Sequence, residues 1–223
     1  EDPEKYCLVG SDASSLELRC FAHYLNNKQF TEQVVDGDVH TYNQNIVGLP
    51  DRNTAKTWIY AFLYGAGDKK LGQIFGEDAQ AGELSRKRYI NKVDGMRQLT
   101  NTLNKLLRER KKRTGEYQLI AIDKRILLSR SIHASLNTLL QGCGAIICKQ
   151  WLINIIDKVE HSKLEAHPVA NIHDEVQFEV RKDHAEEFGL ITKQAMKDVE
   201  KQLSIRCPLD SEYSMGTAWD QTH

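Results

Sequence analysis

Past the middle of the chain the spacing of apolar residues changes. From Leu136 to Val159 they recur every three or four positions: Leu136, Leu139, Leu140, Cys143, Ile147, Trp151, Ile155 and Val159. That spacing predicts one long helix with a buried stripe. Soon after, Val176, Phe178 and Val180 alternate with Gln177 and Glu179, the period of a strand. Val169 to Ile172 predict its partner, so His173-Asp174-Glu175 falls at a hairpin tip. A long helix followed directly by a hairpin restricts the fold to classes that pack helices on an antiparallel sheet.

The remainder of the chain agrees. Tyr6-Cys-Leu-Val9 predicts a short buried strand, ended by Gly10-Ser11-Asp12. Ser14 and Ser15 are candidate N-caps for a helix carrying Leu16, Leu18, Phe21, Ala22 and Leu25. Polar residues 26–38 predict a loop or short helix. A second helix starts after Leu49-Pro50-Asp51 and runs to about Tyr64, with Gly65 and Gly67 behind it. Residues 83–113 predict helix broken at Asp94-Gly95, and residues 118–128 one or two short strands. Gly142 and Gly144 inside the long helix cost about 1 kcal/mol each against alanine, which implies a close approach by another element. Asp183 with Glu186 predicts a capping-box start for the next helix, and residues 209–214 a last strand. The resulting order, β-α…α-β-β-α-β, predicts α+β: a small antiparallel sheet covered by helices.

Composition narrows the function. With 30 Lys+Arg against 31 Asp+Glu the formal net charge is −1. A globally basic protein that coats nucleic acid is excluded, whereas local basic patches are not. Hydrophobic residues at 40% and charged residues at 27% exclude disorder as the main state. The nearest approach to a membrane span, residues 138–159, is interrupted by Gln141, Lys149, Gln150, Asn154 and Asp157. Five cysteines, an odd number with no CxxC pair, fit a reducing cytoplasm better than a disulfide framework or a zinc knuckle. No signal peptide is recognisable. The start Glu1-Asp2-Pro3, without methionine, suggests a fragment or processed product of a longer chain.

Three groups of residues could carry chemistry. Asp12 at a strand end and Asp174 at a hairpin tip are, singly, ordinary turn aspartates. If the first strand lies beside the hairpin, both carboxylates converge at one sheet edge, as two-metal phosphoryl transfer needs. Magnesium favours one or two carboxylates plus substrate phosphates over a full protein cage. The second group is Arg52, Lys56, Tyr60 and Tyr64 at i, i+4, i+8 and i+12. They line one slowly drifting helix face, two cations followed by two aromatics. Cations near a helix N-terminus can neutralise a polyphosphate with help from the dipole, and aromatics beyond can pack on sugar and base. The plainer reading is a solvated cation pair and two core tyrosines. Ala55, Ile59, Phe62 and Leu63 form the opposite, core face. The third group, the basic run Lys105 to Arg113, reads first as dipole complementation and solubility and second as nucleic-acid backbone contact. His40, after Asp36-Gly37-Asp38, is a lone loop histidine.

Taken together these segments resemble the polymerase module of family A (DNA polymerase I-like) DNA polymerases, with the nearest look to the replicative enzymes of short-tailed bacteriophages. Ser11 to His23 is similar to motif A, D-x-S-x-x-E-L-R. Arg52 to Gly65 is similar to motif B, R-x-x-x-K-x-x-x-[FY]-x-x-x-Y-G. Ile172-His-Asp-Glu-Val176 is similar to motif C, and Arg130 to Gln141 to the segment before it. Gly216 to Trp219 also looks familiar. Any one motif is weak, and four in the correct order are specific. The resemblance implies palm in residues 1–35 and 116–223 and a helical fingers subdomain in 36–115. Thumb and exonuclease are expected to be absent, because motif A begins near the start of the chain. It departs from the family at Ile122-Asp123-Lys124-Arg125, where a glycine-containing turn is usual.

The resemblance also implies roles. Asp12 and Asp174, with the backbone carbonyl of Ala13, would hold two Mg²⁺ ions. Arg52, Lys56 and His40 would bind the triphosphate of a dNTP, and Lys56 would protonate the leaving pyrophosphate. Glu17 would crowd the sugar 2′ position. Tyr60 would sit against the 3′ side of the sugar and Tyr64 would stack near the nascent base pair. Arg130, Asn137 and Gln141 would contact primer–template DNA, and His173 and Glu175 would flank the site near the primer end. The implied activity is template-directed DNA synthesis by a palm-and-fingers fragment, weak on its own, in the cytoplasm of a bacterial or phage-infected cell. A thumb and exonuclease would belong to a separate or longer chain. The alternatives are a non-catalytic remnant that binds nucleotide or DNA, and a two-metal nuclease. A nuclease needs more carboxylates at the metals and neither a triphosphate-binding helix nor a guard at the 2′ position.

Overall fold

The computed structural model describes Asp2 and residues 4–223, so Glu1 and Pro3 lie outside the described residues. The fold is α+β, with two antiparallel sheets and nine α-helices among the described residues. The chain divides into two compact units: residues up to Arg19 together with Cys143–His223, and Cys20–Gly142.

The first unit is built on a four-stranded sheet. β1 is Tyr6–Ala13, β4 Ala166–Ile172, β5 Glu175–Arg181 and β6 Ser211–Gly216. Their order is β4-β5-β1-β6, every pair antiparallel. The first strand is longer than the sequence pattern suggested. Gly10, Ser11 and Asp12 were expected to end it, yet they pair on both sides, Gly10 with Gln177 and Ser214, Asp12 with Glu175 and Glu212. A Cβ on Gly10 would lie 2.3 Å from the Gln177 side chain and from the Thr222 carbonyl. Glycine is present in mid-strand because the C-terminal turn crosses there.

Two helices pack on this sheet. α8, Ser135–Glu160, is the long helix expected from the apolar spacing, and α9 is Ala185–Gln202. Trp151 donates Nε1–H to the Thr192 carbonyl at 2.8 Å, Asn154 reaches the Ala195 carbonyl, and Phe178 and Phe188 rings lie 4.8 Å apart. By length and composition α8 is apolar enough to cross a membrane, although Lys149 and Asp157 interrupt it. Half of its most apolar stretch is buried, and its hydrogen bonds to α9 make it a core helix here. The capping box at Asp183 does not form. Arg181 takes both Asp183 oxygens, a 3-10 turn spans Lys182–His184, and α9 begins without a side-chain cap.

The second unit is mostly helical. It holds the end of α1 (Leu16–Leu25), then α2 (Lys28–Val35), α3 (Val39–Val47), α4 (Arg52–Leu63), α5 (Asp68–Gln73), α6 (Ala79–Lys92) and α7 (Met96–Thr114). Residues 26–38 are more ordered than a loop, because Asn27 caps α2 and Asp38 caps α3. Trp58, Phe62 and Tyr89 form the aromatic core. The Trp58 ring stacks on Phe62 at 5.3 Å, and its N–H donates to Ser85 at 3.1 Å. α5 and α6 touch backbone to backbone: a Cβ on Gly82 would lie 1.9 Å from the Asp68 carbonyl. The break at Asp94-Gly95 appears as expected between α6 and α7.

The hairpin β2 (Tyr117–Ile120) and β3 (Ile126–Ser129) turns without glycine. Lys124 itself takes the left-handed conformation at φ +71°, and Asp123 steadies the turn by accepting from the Arg125 N–H at 3.2 Å. The close approach expected at Gly142 is also found. A Cβ there would lie 2.4 Å from Leu127, and one on Gly144 would lie 3.3 Å from Leu16.

Candidate active site

In the sheet unit, register brings the two aspartates together. Asp12 pairs with Glu175 across β1 and β5, and the next residue, Ala13, donates its N–H to the Asp174 carbonyl at 3.0 Å. The turn after Asp12 is pinned from below: Ser14 donates N–H to the Asp210 carbonyl, and buried Arg19 donates to the Ser14 and Pro208 carbonyls. Partial desolvation and then the charges of Asp174 and Glu175 push the Asp12 carboxyl up from 3.8 to about 6. On α8, burial and the carboxylates of Asp174, Asp12 and Glu17 push the Cys148 thiol up to about 12. Asp12, Asp174 and Glu17 therefore share one neighbourhood. His173 sits at the hairpin tip with φ +54° and is exposed rather than a buried structural histidine.

Glu175 differs from its neighbours. It is 4% exposed. Oε1 accepts from Gln177 and from the Trp219 indole N–H at 2.8 Å, and Oε2 pairs with the His223 ring at 2.5 Å. Burial pushes its carboxyl up, but those hydrogen bonds outweigh it and hold it below its ordinary value. Sequence reasoning missed Gln177, Trp219 and His223. Alternation put Gln177 on a solvent face, whereas the C-terminal turn covers it, Thr222 Oγ donating to Gln177 Oε1 at 2.9 Å. The one available signal was the familiar look of Gly216 to Trp219.

No cluster of three or more His, Cys, Asp or Glu suited to a metal occurs among the described residues. The donor set is a pair of carboxylates, one of them, Asp12, driven toward protonation by desolvation and then by its acidic neighbours. That set fits a divalent cation that completes its shell with water and substrate phosphates.

In the helical unit, α4 carries the expected stripe. Arg52 and Lys56 are exposed, Tyr60 is half-buried, and Tyr64 caps the helix at 48% exposure. The Tyr60 and Tyr64 rings are 6.2 Å apart, as are those of His40 and Tyr60. Ala55, Ile59, Phe62 and Leu63 are buried on the other side. His40 lies in the first turn of α3, not in a loop, and its Nδ1 is buried without a partner. Burial, then Arg52 and Lys56, push its pKa down, so it is neutral near pH 7. The N-terminus of α4 is not open to an anion: Asp51 caps it, accepting from the Thr54 N–H at 2.9 Å. Arg52 is paired with Asp38. Neither carboxylate was foreseen from the sequence.

The third set is in the same helical unit. Arg130 is exposed at the end of β3, and Asn137 and Gln141 lie one turn apart on α8. Asn137 Oδ1 is buried without a partner.

Comparison with known proteins places the chain in a lineage. The DNA polymerase family A model matches residues 1–221. The chain is 37% identical to the DNA-directed DNA polymerases of Enterobacteria phage T3 and Escherichia phage T7, over 96% of its own length and 33% of theirs. It thus spans about a third of the curated relatives it matches. Its fold is similar to a solved structure titled as the POL domain of Pol1 from M. smegmatis in complex with DNA primer-template and dNTP, with TM-score 0.82 and 20% identity, covering 97% of this chain and 40% of that one. With the two aspartates meeting on the sheet, the cationic helix face and a family match over nearly its whole length, the chain belongs to DNA polymerase family A.

Proposed function

We propose that this chain carries out template-directed DNA synthesis, joining a dNTP to a primer 3′-hydroxyl. The observation that carries the reading is the β1–β5 register that brings Asp12 and Asp174 to one sheet edge. Together with the Ala13 carbonyl they would hold two Mg²⁺ ions. When bound, such ions supply a lowered pKa at the primer hydroxyl and neutralise charge on the leaving pyrophosphate.

The protein's own groups do the rest. Arg52, Lys56 and neutral His40 bind the triphosphate, and their charge and hydrogen bonds stabilise what develops on it. Lys56 gives a proton to pyrophosphate. Glu17, beside Asp12, crowds a ribose 2′-hydroxyl. Tyr60 faces the 3′ side of the sugar, and Tyr64 stacks near the new pair. Arg130, Asn137 and Gln141 hold primer–template; minor-groove acceptors are nearly common to all correct pairs, so contacts there test shape rather than sequence. His173 and Glu175 flank the primer end. In this reading residues 1–35 and 116–223 are palm and 36–115 fingers, and the working place is the cytoplasm of a bacterial or phage-infected cell.

The test is single-nucleotide primer extension with Mg²⁺ at low salt and high protein concentration, beside Asp12→Asn and Asp174→Asn. Each substitution is expected to lower the rate on the order of 10²–10³-fold or more. Extension that survives both substitutions, or its absence from the unaltered chain, would sink the claim that this chain is itself a polymerase.

A further inference from the structure

The cationic face of α4 contains an acid of its own. Arg52 Nε donates to Asp38 Oδ2 at 2.7 Å, with the arginine side chain 52% exposed. That carboxylate is already held by its own helix. Oδ1 accepts from the N–H groups of His40 at 3.1 Å and Thr41 at 3.2 Å, and Oδ2 from the Thr41 hydroxyl at 2.8 Å. The Arg52 and Thr41 hydrogen bonds keep it deprotonated, far below the usual carboxylate range. Asp38 is therefore fixed both in position and in charge. It belongs to the same neighbourhood as the other candidate phosphate ligands, because His40 responds to Arg52, Lys56 and Asp38 together. With Asp51 on the end of α4, two cations meet two carboxylates where a net positive cradle was expected.

We propose that Asp38 is an internal competitor for Arg52, which an incoming polyphosphate must displace, and that it thereby sets the affinity of this face for triphosphates. The inference rests on the nucleotide-binding role given above to Arg52, Lys56 and His40. A phosphate that takes Arg52 exchanges one anion for another, so the existing pair is subtracted from every phosphate's binding. An exposed pair of this kind shifts affinity by roughly two- to five-fold. The offset removes weak binders such as orthophosphate from the useful range and hastens departure of pyrophosphate, while a multiply charged triphosphate still binds.

The probe is inorganic tripolyphosphate without metal, its Kd for the full chain measured by calorimetry at low salt. Asp38→Asn removes the charge and keeps the cap, since asparagine serves N-caps as well as aspartate; Asp38→Ser is the second capping variant should the first misfold. Asp38→Asn is expected to bind tripolyphosphate about two- to five-fold more tightly, and the gain to vanish in an Arg52→Gln background. An unchanged or weaker affinity overturns the proposal, making Asp38 a cap or a group that orients Arg52 throughout. An equal gain in both backgrounds also overturns it, as a general charge effect. Primer extension judges the polymerase reading separately: tighter binding without extension keeps the competitor and sinks synthesis, and extension with unaltered affinity does the reverse. No binding to any of the chains overturns the competitor and leaves synthesis to be judged by extension.

Discussion

Asp12 and Glu175 face each other across two strands and are driven in opposite directions. Each is a carboxyl near other carboxylates. Glu175 has three donors, from Gln177, Trp219 and His223, and stays ionised. Asp12 is partly desolvated and meets the charges of Asp174 and Glu175, and its pKa rises from 3.8 to about 6. A carboxyl raised on folding makes the folded state bind more protons than the unfolded one, so its contribution to stability falls as pH climbs through that window. Asp12→Asn is therefore expected to raise Tm at pH 7.5 and to lose that gain below about pH 4, where Asp12 is protonated folded or unfolded. Melting curves at the two pH values check this; no gain at pH 7.5 would mean that neither burial nor its acidic neighbours disfavour the Asp12 charge. Adding Mg²⁺ should raise Tm of the unaltered chain and do little for Asp12→Asn, because bound ligand stabilises only what binds it.

At the scale of elements, what local pattern dictates was legible in the sequence. α8 and the β4–β5 hairpin follow from spacing alone, and α4 from its start signal and its apolar face. The pairing of β1 with the hairpin, on which convergence of Asp12 and Asp174 depends, was only a condition in the sequence and is supplied by the structure. The failures have one cause, a partner that the local pattern does not show. β1 runs on past Gly10 because two other strands pair with it. Gln177 is buried because Thr222 covers it, and Asp183 leaves its helix because Arg181 claims it. The short helix allowed for in residues 26–38 is present as α2, capped locally by Asn27. α5 and α6 supply a test of close packing. Gly82→Ala would push a methyl group to 1.9 Å from the Asp68 carbonyl, a backbone atom with no rotamer to yield. Denaturant unfolding should show a loss of about 1–3 kcal/mol; a neutral outcome would mean that the two helices separate freely.

At the scale of the whole molecule, the near balance of 30 basic and 31 acidic residues bears on DNA affinity. Without an overall positive field, the proposed grip on primer–template would depend on local contacts such as those proposed for Arg130, Asn137 and Gln141. The logarithm of the binding constant should fall linearly with the logarithm of salt, with a slope of about −0.9 per phosphate neutralised. Fluorescence anisotropy of a labelled primer–template across a salt series measures it, and a flat response would exclude backbone contact as the source of binding. The chain also covers only 33% of the phage T3 and T7 polymerases it resembles, so a modest slope is expected here. The clamp on Glu175 carries a practical consequence for anyone preparing this protein. Its third donor, His223, lies against Glu175 Oε2, so any sequence fused directly after it would begin beside a carboxylate that faces Asp12 across the sheet. A tag placed away from His223 avoids that interference, and a preparation fused directly after His223 that fails to extend primers should not be scored as an inactive protein.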